Sequence, residues 1–400
     1  MTQTTQQIPA GWKIVALGEI AEVKNGKTNS QDAQEFGDYP LFDRSSEIKR
    51  SNKYIFDSDA VIIPGEGAEF VPKFFSGKFD LHQRAYAVYN FQNGIVPKFI
   101  YFSINHFKKY FEKVSVGSTV RSLRLPHIIA YPVLLPPHSE QTKIVNILSK
   151  LDEEIEKVEK IIERIEKFKR GLIKNLLTKG IGHTKFKKTE LGEIPEEWDV
   201  VTLKNSDIDI IDGDRGENYP KKNEFMDKGY CLFLSNKNIK NDKFIFDECA
   251  FITEEKDKLL RKGKLKRLDI VLTTRGTVGN VAYFDEKIPF ENIRLNSGML
   301  IFRAGESFHP GFLYALFKSP LMKNKYMTVA SGSAQPQLPI KSLGQIKIPI
   351  PPKDEQKNIA TILESTDQLL YKTKKQRKNL NKLKKALMTD LLSGKVRVKI

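Results

Sequence analysis

The sequence predicts an α+β protein in which two mixed α/β, strand-rich domains lie at opposite ends of an antiparallel coiled coil of two long helices. An internal repeat, a heptad seam in each of two long segments and opposite charge runs on those segments predict this fold. Together they indicate internal pseudo-two-fold symmetry within one chain.

The repeat is visible as two segments that match at one fixed offset along the chain. Three groups recur at this offset without a gap: Leu123 as Leu338, Pro136-Pro137 as Pro351-Pro352, and Glu140-Gln141 as Glu355-Gln356. A second, shorter offset relates the start of each copy: Ile8-Pro9-x-x-Trp12 recurs as Ile194-Pro195-x-x-Trp198. Between these ends the copies differ in length and little sequence matches. The chain therefore has a shared frame around two divergent middle parts.

The segments that close the two copies are predicted to be long helices. Apolar residues alternate four and three positions apart, as in a coiled-coil seam. The first seam comprises Ile144, Leu148, Leu151, Ile155, Val158, Ile162, Ile165, Phe168, Leu172 and Leu176. The second comprises Ile359, Leu363, Leu370, Leu380, Leu383, Leu387 and Leu391, with the polar residues Thr366, Thr373 and Arg377 among them. Because the second seam is weaker, that helix should need a partner.

Charge indicates that the two helices pair with each other. Residues 152–166 are rich in acids, whereas residues 371–385 are rich in Lys and Arg and contain no acid. Antiparallel pairing about the helix centres would set 152–166 against roughly 367–381 and bring opposite charges together. It would also bring the N-terminus of the chain close to the end of the second helix. The alternative, that each run is a solvated face, stays open, and the basic surplus could also lie along DNA.

Composition restricts the class of partner. The chain carries 66 Lys and Arg against 49 acids, a net charge of +17, which favours nucleic acid or an acidic membrane surface. No run of about 18 apolar residues and no signal sequence is present, so we expect a cytoplasmic protein without a membrane partner. Cys231 and Cys249 lack metal-ligand spacing, and no metal site is predicted. Phosphate-loop, Asn/Asp-Pro-Pro-Tyr/Phe and HExxH motifs are missing, so no catalytic residue is predicted.

The repeated frame resembles type I restriction-modification specificity subunits over essentially the whole chain. Four motifs carry the resemblance: Gly-Ser-Thr-Val-Arg-Ser-Leu at 117–123, Pro-Pro-x-x-Glu-Gln before each helix, Leu-Leu-Thr-Lys-Gly (176–180) with Leu-Leu-Ser-Gly-Lys (391–395), and Phe-Lys-Lys-Thr-Glu-Leu-Gly-Glu-Ile-Pro-Glu-Glu-Trp at 186–198. The resemblance implies target recognition domain 1 at 1–138, a central conserved helix at 139–180, target recognition domain 2 at 181–353 and a C-terminal conserved helix at 354–400.

The same resemblance implies a subunit that binds double-stranded DNA without catalysing a reaction. It would recognise a bipartite, asymmetric target whose unspecific spacer is set by the coiled coil. It would dock two modification (methyltransferase) subunits and restriction (ATP-dependent translocase and nuclease) subunits, conferring specificity on adenine methylation and cleavage. The chain would bind no cofactor, and S-adenosylmethionine, ATP and Mg would belong to the partners.

Three alternatives stay open at this point. The chain could be the specificity subunit or module of another restriction-modification class. It could be a basic coiled-coil adaptor that binds DNA without sequence preference. It could also be a nuclease or methyltransferase with a cryptic site, which activity of the purified chain alone would reveal.

Candidate DNA contacts lie in the divergent parts. Strands are predicted at 54–56, 60–63 and 84–89 in the first part and at 270–274 in the second, and the last of these brings Arg275 and Gly276 to a strand end. Arg, Lys, Gln, Asn, His, Ser and Thr can bond phosphates or base edges. The first-domain candidates are Lys27, Arg44, Ser45, Ser46, His82, Gln83 and Arg84. The second-domain candidates are Arg215, Lys221, Lys237, Asn238, Thr274, Arg275 and Asn296. Each could instead be a surface or turn residue. Gly65-Glu-Gly67 is interpreted as a turn, whereas Gly276 and Gly279 could either let the backbone approach a duplex closely or be the glycines of a hairpin turn.

Overall fold

A computed structural model describes residues 8–67, 69–332 and 336–399. The chain forms two compact units. Unit 1 contains the chain up to residue 161 together with residues from 373 onward, and unit 2 contains residues 162–372. Each unit therefore holds one of the divergent parts and a portion of both long helices. The four-segment division drawn from the sequence stays a prediction.

Unit 1 contains lobe 1, the residues before the first long helix. Its elements are β1 (Lys13–Ala16), α1 (Leu17–Ile20), β2 (Glu22–Asn25), β3 (Tyr39–Phe42), β4 (Lys49–Ser51), β5 (Phe56–Pro64), β6 (Lys73–Leu81), β7 (Ala85–Tyr89), α2 (Pro97–His106), α3 (Lys109–Val114), α4 (Leu125–Ile129), β8 (Pro132–Leu135) and then the long helix α5 (His138–Thr178). A six-stranded sheet has the order β2-β7-β5-β6-β3-β4, and β1 pairs with β8. β3 and β6 run parallel, and the other pairs are antiparallel.

Unit 2 contains lobe 2, the residues between the long helices. Its elements are β9 (Phe186–Thr189), β10 (Gly192–Pro195), β11 (Asp199–Thr202), β12 (Asp209–Asp212), β13 (Cys231–Leu234), β14 (Ile239–Lys240), β15 (Lys243–Phe244), β16 (Phe251–Ile252), α6 (Glu254–Leu259), β17 (Ile270–Thr273), β18 (Val281–Tyr283), β19 (Ile293–Leu295), β20 (Met299–Arg303), α7 (Pro310–Phe317), α8 (Pro320–Val329), α9 (Ile340–Leu343), β21 (Lys347–Ile350) and then the long helix α10 (Lys353–Leu392). Its larger sheets have the orders β12-β20-β17-β18 and β16-β13-β19.

The two lobes share one hydrogen-bonding scheme although their sequences diverge. The antiparallel run β2-β7-β5-β6 corresponds to β12-β20-β17-β18, and the parallel pair β3-β6 corresponds to β13-β19. The single strand β6 of lobe 1 thus has two counterparts in lobe 2, β18 for the part that pairs with β5 and β19 for the part that pairs with β3. The terminal pair β1-β8 corresponds to β11-β21. The predicted strands at 60–63, 84–89 and 270–274 fall in β5, β7 and β17, whereas only Phe56 of 54–56 is in a strand. The repeat therefore extends through the parts that the sequence leaves unmatched.

The long helices have the predicted seam, with two corrections. Ile144, Leu148 and Val158 are buried on α5, and Ile359 and Leu363 are buried on α10. Leu383 is 47% exposed and Phe168 is 63% exposed, so neither lies in the seam. The half-buried residues Lys384 and Lys169, one position further on, continue the four-three spacing instead.

Within each unit, the paired helical segments are antiparallel. In unit 1, Lys384 forms an ion pair with Asp152, and Arg377 lies 4.0 Å from Glu159. In unit 2, Lys169 forms an ion pair with Asp367. Asp152 thus faces a position about one turn beyond the predicted 381. Exposed pairs within α5, such as Lys157 with Glu154, show that part of the acidic run is a solvated face as well.

The repeated Glu-Gln pair joins each helix to its lobe. In unit 1, Glu140 accepts a hydrogen bond from the Trp12 indole (3.3 Å) and pairs with Arg397 (2.8 Å). Arg397 also donates to the Ala10 carbonyl (2.9 Å), so the segment after α10 lies beside the segment that precedes β1. The predicted position of the N-terminus itself concerns residues 1–7, which lie outside the described residues. In unit 2, Glu355 accepts from the Trp198 indole (2.8 Å). These contacts explain why the frame repeats Trp and Glu.

The adjacent glutamine satisfies buried backbone groups. Gln356 is fully buried, accepts from His309 N (2.8 Å) and donates to the Pro351 and Ser307 carbonyls (both 2.9 Å). Gln141 has the same role towards Val96 N and the Pro136 carbonyl.

Replacing Gln356 by Ala is expected to lower the free energy of unfolding by about 2 kcal/mol or more, because it leaves buried backbone groups without partners. Denaturant unfolding of the full chain measures this loss. Gln368→Ala on the exposed side of the same helix is the control, and its effect should stay within about 0.5 kcal/mol. Equal losses would contradict the assigned role.

Cys231 is buried and Cys249 half-buried, and both are unpaired thiols. Burial raises the pKa of Cys231 to about 12. Among the described residues, no helix combines the length and apolar character that crossing a membrane requires.

Candidate nucleic-acid interface

In lobe 1, the loops that follow β3, β5 and β6 bring charged side chains to one edge of the sheet. Phe42 of β3 and Leu81 of β6 are partners in the parallel pair, so the loops that follow these strands start side by side. Arg44 lies in the first loop and Arg84 in the second. Glu66 follows β5 and accepts from Arg44 (3.1 Å) and Arg84 (2.9 Å). Both arginines are 59% exposed, whereas Glu66 is only 16% exposed.

An open pocket of about 620 Å³ adjoins these residues. Glu66, Gln83, Arg84 and Tyr86 line one side, and the loop 116–124 lines the other. Gly117 has a φ of +107°, and a Cβ there would lie 2.4 Å from the Val120 carbonyl oxygen, so the loop requires glycine. Loop 117–123, which carries the family resemblance, thus forms a wall of the candidate interface.

The other candidates in lobe 1 are divided between the edge and the turns that support it. Gln83 is exposed and donates to the Asn29 side chain (2.5 Å). Lys27 and Ser46 are exposed, and Lys27 lines a second pocket of about 570 Å³. Ser45 is bonded to Asp43 (2.6 Å). His82 is buried, accepts from Arg84 N (3.0 Å), and has a pKa lowered by burial, so it stabilises the turn as a neutral ring.

In lobe 2, the equivalent edge carries a different set of polar residues. Arg275 follows β17 and is exposed, and its carbonyl accepts from the Asn236 amide (2.6 Å). Arg215 is exposed and donates to the Ser297 carbonyl (3.2 Å). Asn296 is half-buried and accepts from Gly298 N (2.9 Å). Three of the candidates named from the sequence, Arg215, Arg275 and Asn296, thus lie at one edge. Asn236, which is not among those candidates, lies there as well.

Asn238 requires a correction. It is 3% exposed, and its carbonyl oxygen accepts from Ser235 N (2.9 Å) and Ser235 Oγ (3.0 Å). Its amide nitrogen donates to the Ile245 (3.1 Å) and Glu248 (2.8 Å) carbonyls. The side chain is therefore fully used inside the lobe, and a duplex cannot reach it.

The remaining candidates in lobe 2 have distinct environments. Thr274 is buried, whereas Lys221 and Lys237 are exposed, the latter 3.1 Å from Glu248. Gly276 (φ +69°) and Gly279 (φ +89°) have the left-handed conformation that their interpretation as turn residues requires.

Glu66, Asp214 and Asn236 belong to the two edges but were not candidates. Asp214 accepts from Gly216 N (2.9 Å) and Arg261 N (2.7 Å), and the backbone bond from Gly216 holds its pKa at about 2. It thereby fixes the loop that carries Arg215. Its place beside Arg215 in the sequence could have indicated this role. Among the described residues, no group of three His, Cys, Asp or Glu side chains is placed to hold a metal.

The two lobes share one topology, and each carries exposed guanidinium groups, with amide groups beside them, at one edge of a sheet. The family described as type I restriction modification DNA specificity domain matches residues 9–167 and 195–382. The MjaVIII and putative MjaX type I restriction enzyme specificity subunits of Methanocaldococcus jannaschii are each 30% identical, with 98% of this chain and 95% of each relative covered. The chain therefore belongs to the family of type I restriction-modification specificity subunits.

A solved structure shares the fold. The type I restriction-modification S subunit from M. genitalium aligns with a TM-score of 0.64 at 18% identity, over 98% of both chains. The predicted family and the predicted α+β fold with an internal repeat and long helices are thus confirmed.

Proposed function

We propose that this chain is the sequence-specific DNA-binding subunit of a type I restriction-modification complex, and that it reads a bipartite, asymmetric target with one lobe for each half. The observation that carries the proposal is the shared backbone scheme of the lobes, which presents different side chains at equivalent places. Lobe 1 presents Arg44, Glu66 and Arg84, whereas lobe 2 presents Arg275 with Asn236. Two equivalent surfaces of different chemistry are suited to two different half-sites.

The wider assembly is part of the same proposal. The chain docks two modification subunits and restriction subunits, and the paired helices set the length of an unspecific spacer. S-adenosylmethionine, ATP and Mg belong to those partners, and this chain supplies specificity without catalysis. Exposed apolar side chains on the helices, among them Ile161, Phe168, Leu369 and Leu383, supply surface on which partner subunits can pack.

Exchange of lobe 1 tests the proposal that each lobe recognises one half of the target. Residues 1–138 are replaced by the equivalent segment of the MjaVIII relative, and the chimera is produced with its modification subunits. Methylation profiling of the host DNA should show one half-site changed and the other retained. A change in both halves, or methylation without sequence preference, would contradict the proposal. The latter outcome would favour the basic adaptor.

A further inference from the structure

The first residue after the central strand occupies the same backbone position in both lobes. Gly65 N donates to the Arg84 carbonyl (2.8 Å), and Thr274 N donates to the Gly298 carbonyl (2.8 Å). The carbonyls of Gly65 and Thr274 in turn accept from Leu123 N (2.8 Å) and Leu338 N (3.0 Å), which match each other in the repeat. The next residues, Glu66 and Arg275, are therefore equivalent.

A second pairing supports this equivalence. Glu66 forms an isolated β-bridge with Ser122, and Arg275 forms one with Gln337. Ser122 and Gln337 immediately precede the matched leucines, so they too are equivalent in the repeat. The backbone hydrogen bonds around the two positions are the same. The two lobes therefore carry side chains of opposite charge, Glu66 and Arg275, at the same place.

In lobe 1, the carboxylate at this position lies between two guanidinium groups. An acid at a DNA-facing edge repels phosphates, so Glu66 weakens non-specific binding. It accepts from one nitrogen each of Arg44 and Arg84, and the other N–H donors of these exposed arginines stay available. A carboxylate that holds two planar guanidiniums restricts their orientation, which is what directional recognition of base edges needs.

Lobe 2 has the opposite arrangement. Arg84 corresponds to Gly298, and Arg44 corresponds to Asn236, the second residue after the parallel strand. Both arginines are thus replaced, and a guanidinium stands at the central position. No carboxylate of the described residues lies within ion-pair distance of Arg275, and the side chain is exposed.

We propose that the second residue after the central strand, Glu66 in lobe 1 and Arg275 in lobe 2, is the specificity-determining position of each lobe. Arg275 donates directly to a base edge in the major groove, where guanine offers two acceptors to one guanidinium. Glu66 is a positioning residue that acts through Arg44 and Arg84. The inference rests on the proposed function and names the residues that distinguish the two half-sites.

The test uses full chains assembled with their modification subunits, and it selects bound duplexes from a randomised library. Glu66→Gln should lower discrimination at one half-site about tenfold, the order of one lost base contact, and leave the other half-site unchanged. Because a negative charge is removed, affinity for random-sequence duplex should rise and fall off more steeply with salt. A purely structural role would weaken binding to all duplexes.

Arg275 variants should affect the other half-site. Arg275→Gln should lower discrimination there about tenfold and also weaken random-sequence binding. Arg275→Lys should lose the discrimination but keep the random-sequence affinity, since it retains the charge and loses the forked geometry. Retention of the half-site read by lobe 1 shows that each variant is folded.

Matched controls remove the same charges elsewhere. Glu69→Gln removes an exposed acid paired with Lys108 (2.8 Å) in lobe 1, and Lys258→Gln removes an exposed base paired with Glu254 (2.9 Å) in lobe 2. Both should leave both half-sites unchanged. If the unmodified chain selects no two-part target, the proposed function fails. If it does, but Glu66→Gln or Arg275→Gln retains full discrimination, this inference alone is overturned.

Discussion

Deleting residues 158–164 from α5 together with 372–378 from α10 is expected to shorten the preferred spacer by about three base pairs. Seven residues are about 10 Å of helix, and duplex DNA rises about 3.4 Å per base pair. The deletion removes one heptad from each helix, so the seam on either side stays in phase. The ion pairs Lys384–Asp152 and Lys169–Asp367 lie outside the deleted segments and are retained.

Methylation profiling of cells that carry the shortened chain and its modification subunits measures the spacer. The two half-site sequences should persist, because neither lobe is altered. Deleting 158–164 alone is the control, since it leaves the helices unequal and should abolish target methylation. An unchanged spacer in the double deletion would contradict the proposal that the helices set this length.

Sequence patterns predict the frame of the fold because the frame consists of side-chain contacts. The Trp–Glu contact and the Gln356 hydrogen bonds each require one residue type. The same residue types therefore recur in both copies of the repeated sequence. Backbone ladders accept many sequences, which is why the equivalence of β5 and β17 is not visible in the sequence. The prediction that Phe168 and Leu383 lie in the seam is wrong. It follows apolar residues only, whereas these two seam positions are occupied by Lys169 and Lys384. Their aliphatic stems can pack there while the ammonium groups reach Asp367 and Asp152.

The sequence predicts the candidate interface in outline rather than in detail. Arg44, Arg84, Arg215 and Arg275 are all exposed at the lobe edges, although strand-end reasoning from the sequence applied to Arg275 alone. Glu66 is interpreted from sequence only as part of a turn. Its contacts with Arg44 and Arg84 are not visible in the sequence, because these arginines lie in two other loops. Asn236 and Asn238 are close together in one polar segment, and only the local turn decides which of them is buried.

The largest expected loss of stability comes from Asp257 in lobe 2. This carboxylate is 2% exposed and accepts from Arg294 Nε (2.5 Å) and Lys264 Nζ (2.5 Å). Asp257→Ala leaves the buried Arg294 without its counter-charge, and the free energy of unfolding is expected to fall by about 3–5 kcal/mol. Lys258→Ala, at an exposed position of the same helix, should change it by less than about 0.5 kcal/mol.

Titration provides a second test of this ion pair. Burial raises the pKa of Asp257, but the hydrogen bonds from Lys264 and Arg294 outweigh it, so the pKa lies below its ordinary value. A carboxyl whose pKa is lower in the folded state stabilises the fold above its unfolded-state pKa, and this contribution is lost as the pH falls through the folded value. The difference in unfolding free energy between the native chain and Asp257→Ala should therefore be full at neutral pH and shrink in acid.

The pair also connects the core of lobe 2 to its candidate interface. Arg294 lies on β19, just before Asn296, and at the equivalent point of lobe 1 stands the buried Asp80. Under the proposed function, Asp257→Ala should therefore weaken recognition of the half-site assigned to lobe 2 more than recognition of the half-site assigned to lobe 1. Replacing both partners, Asp257→Leu with Arg294→Met, should cost less stability than Asp257→Ala, because no unpaired charge stays buried. A larger loss in the double variant would show that the ion pair stabilises the lobe beyond neutralising Arg294.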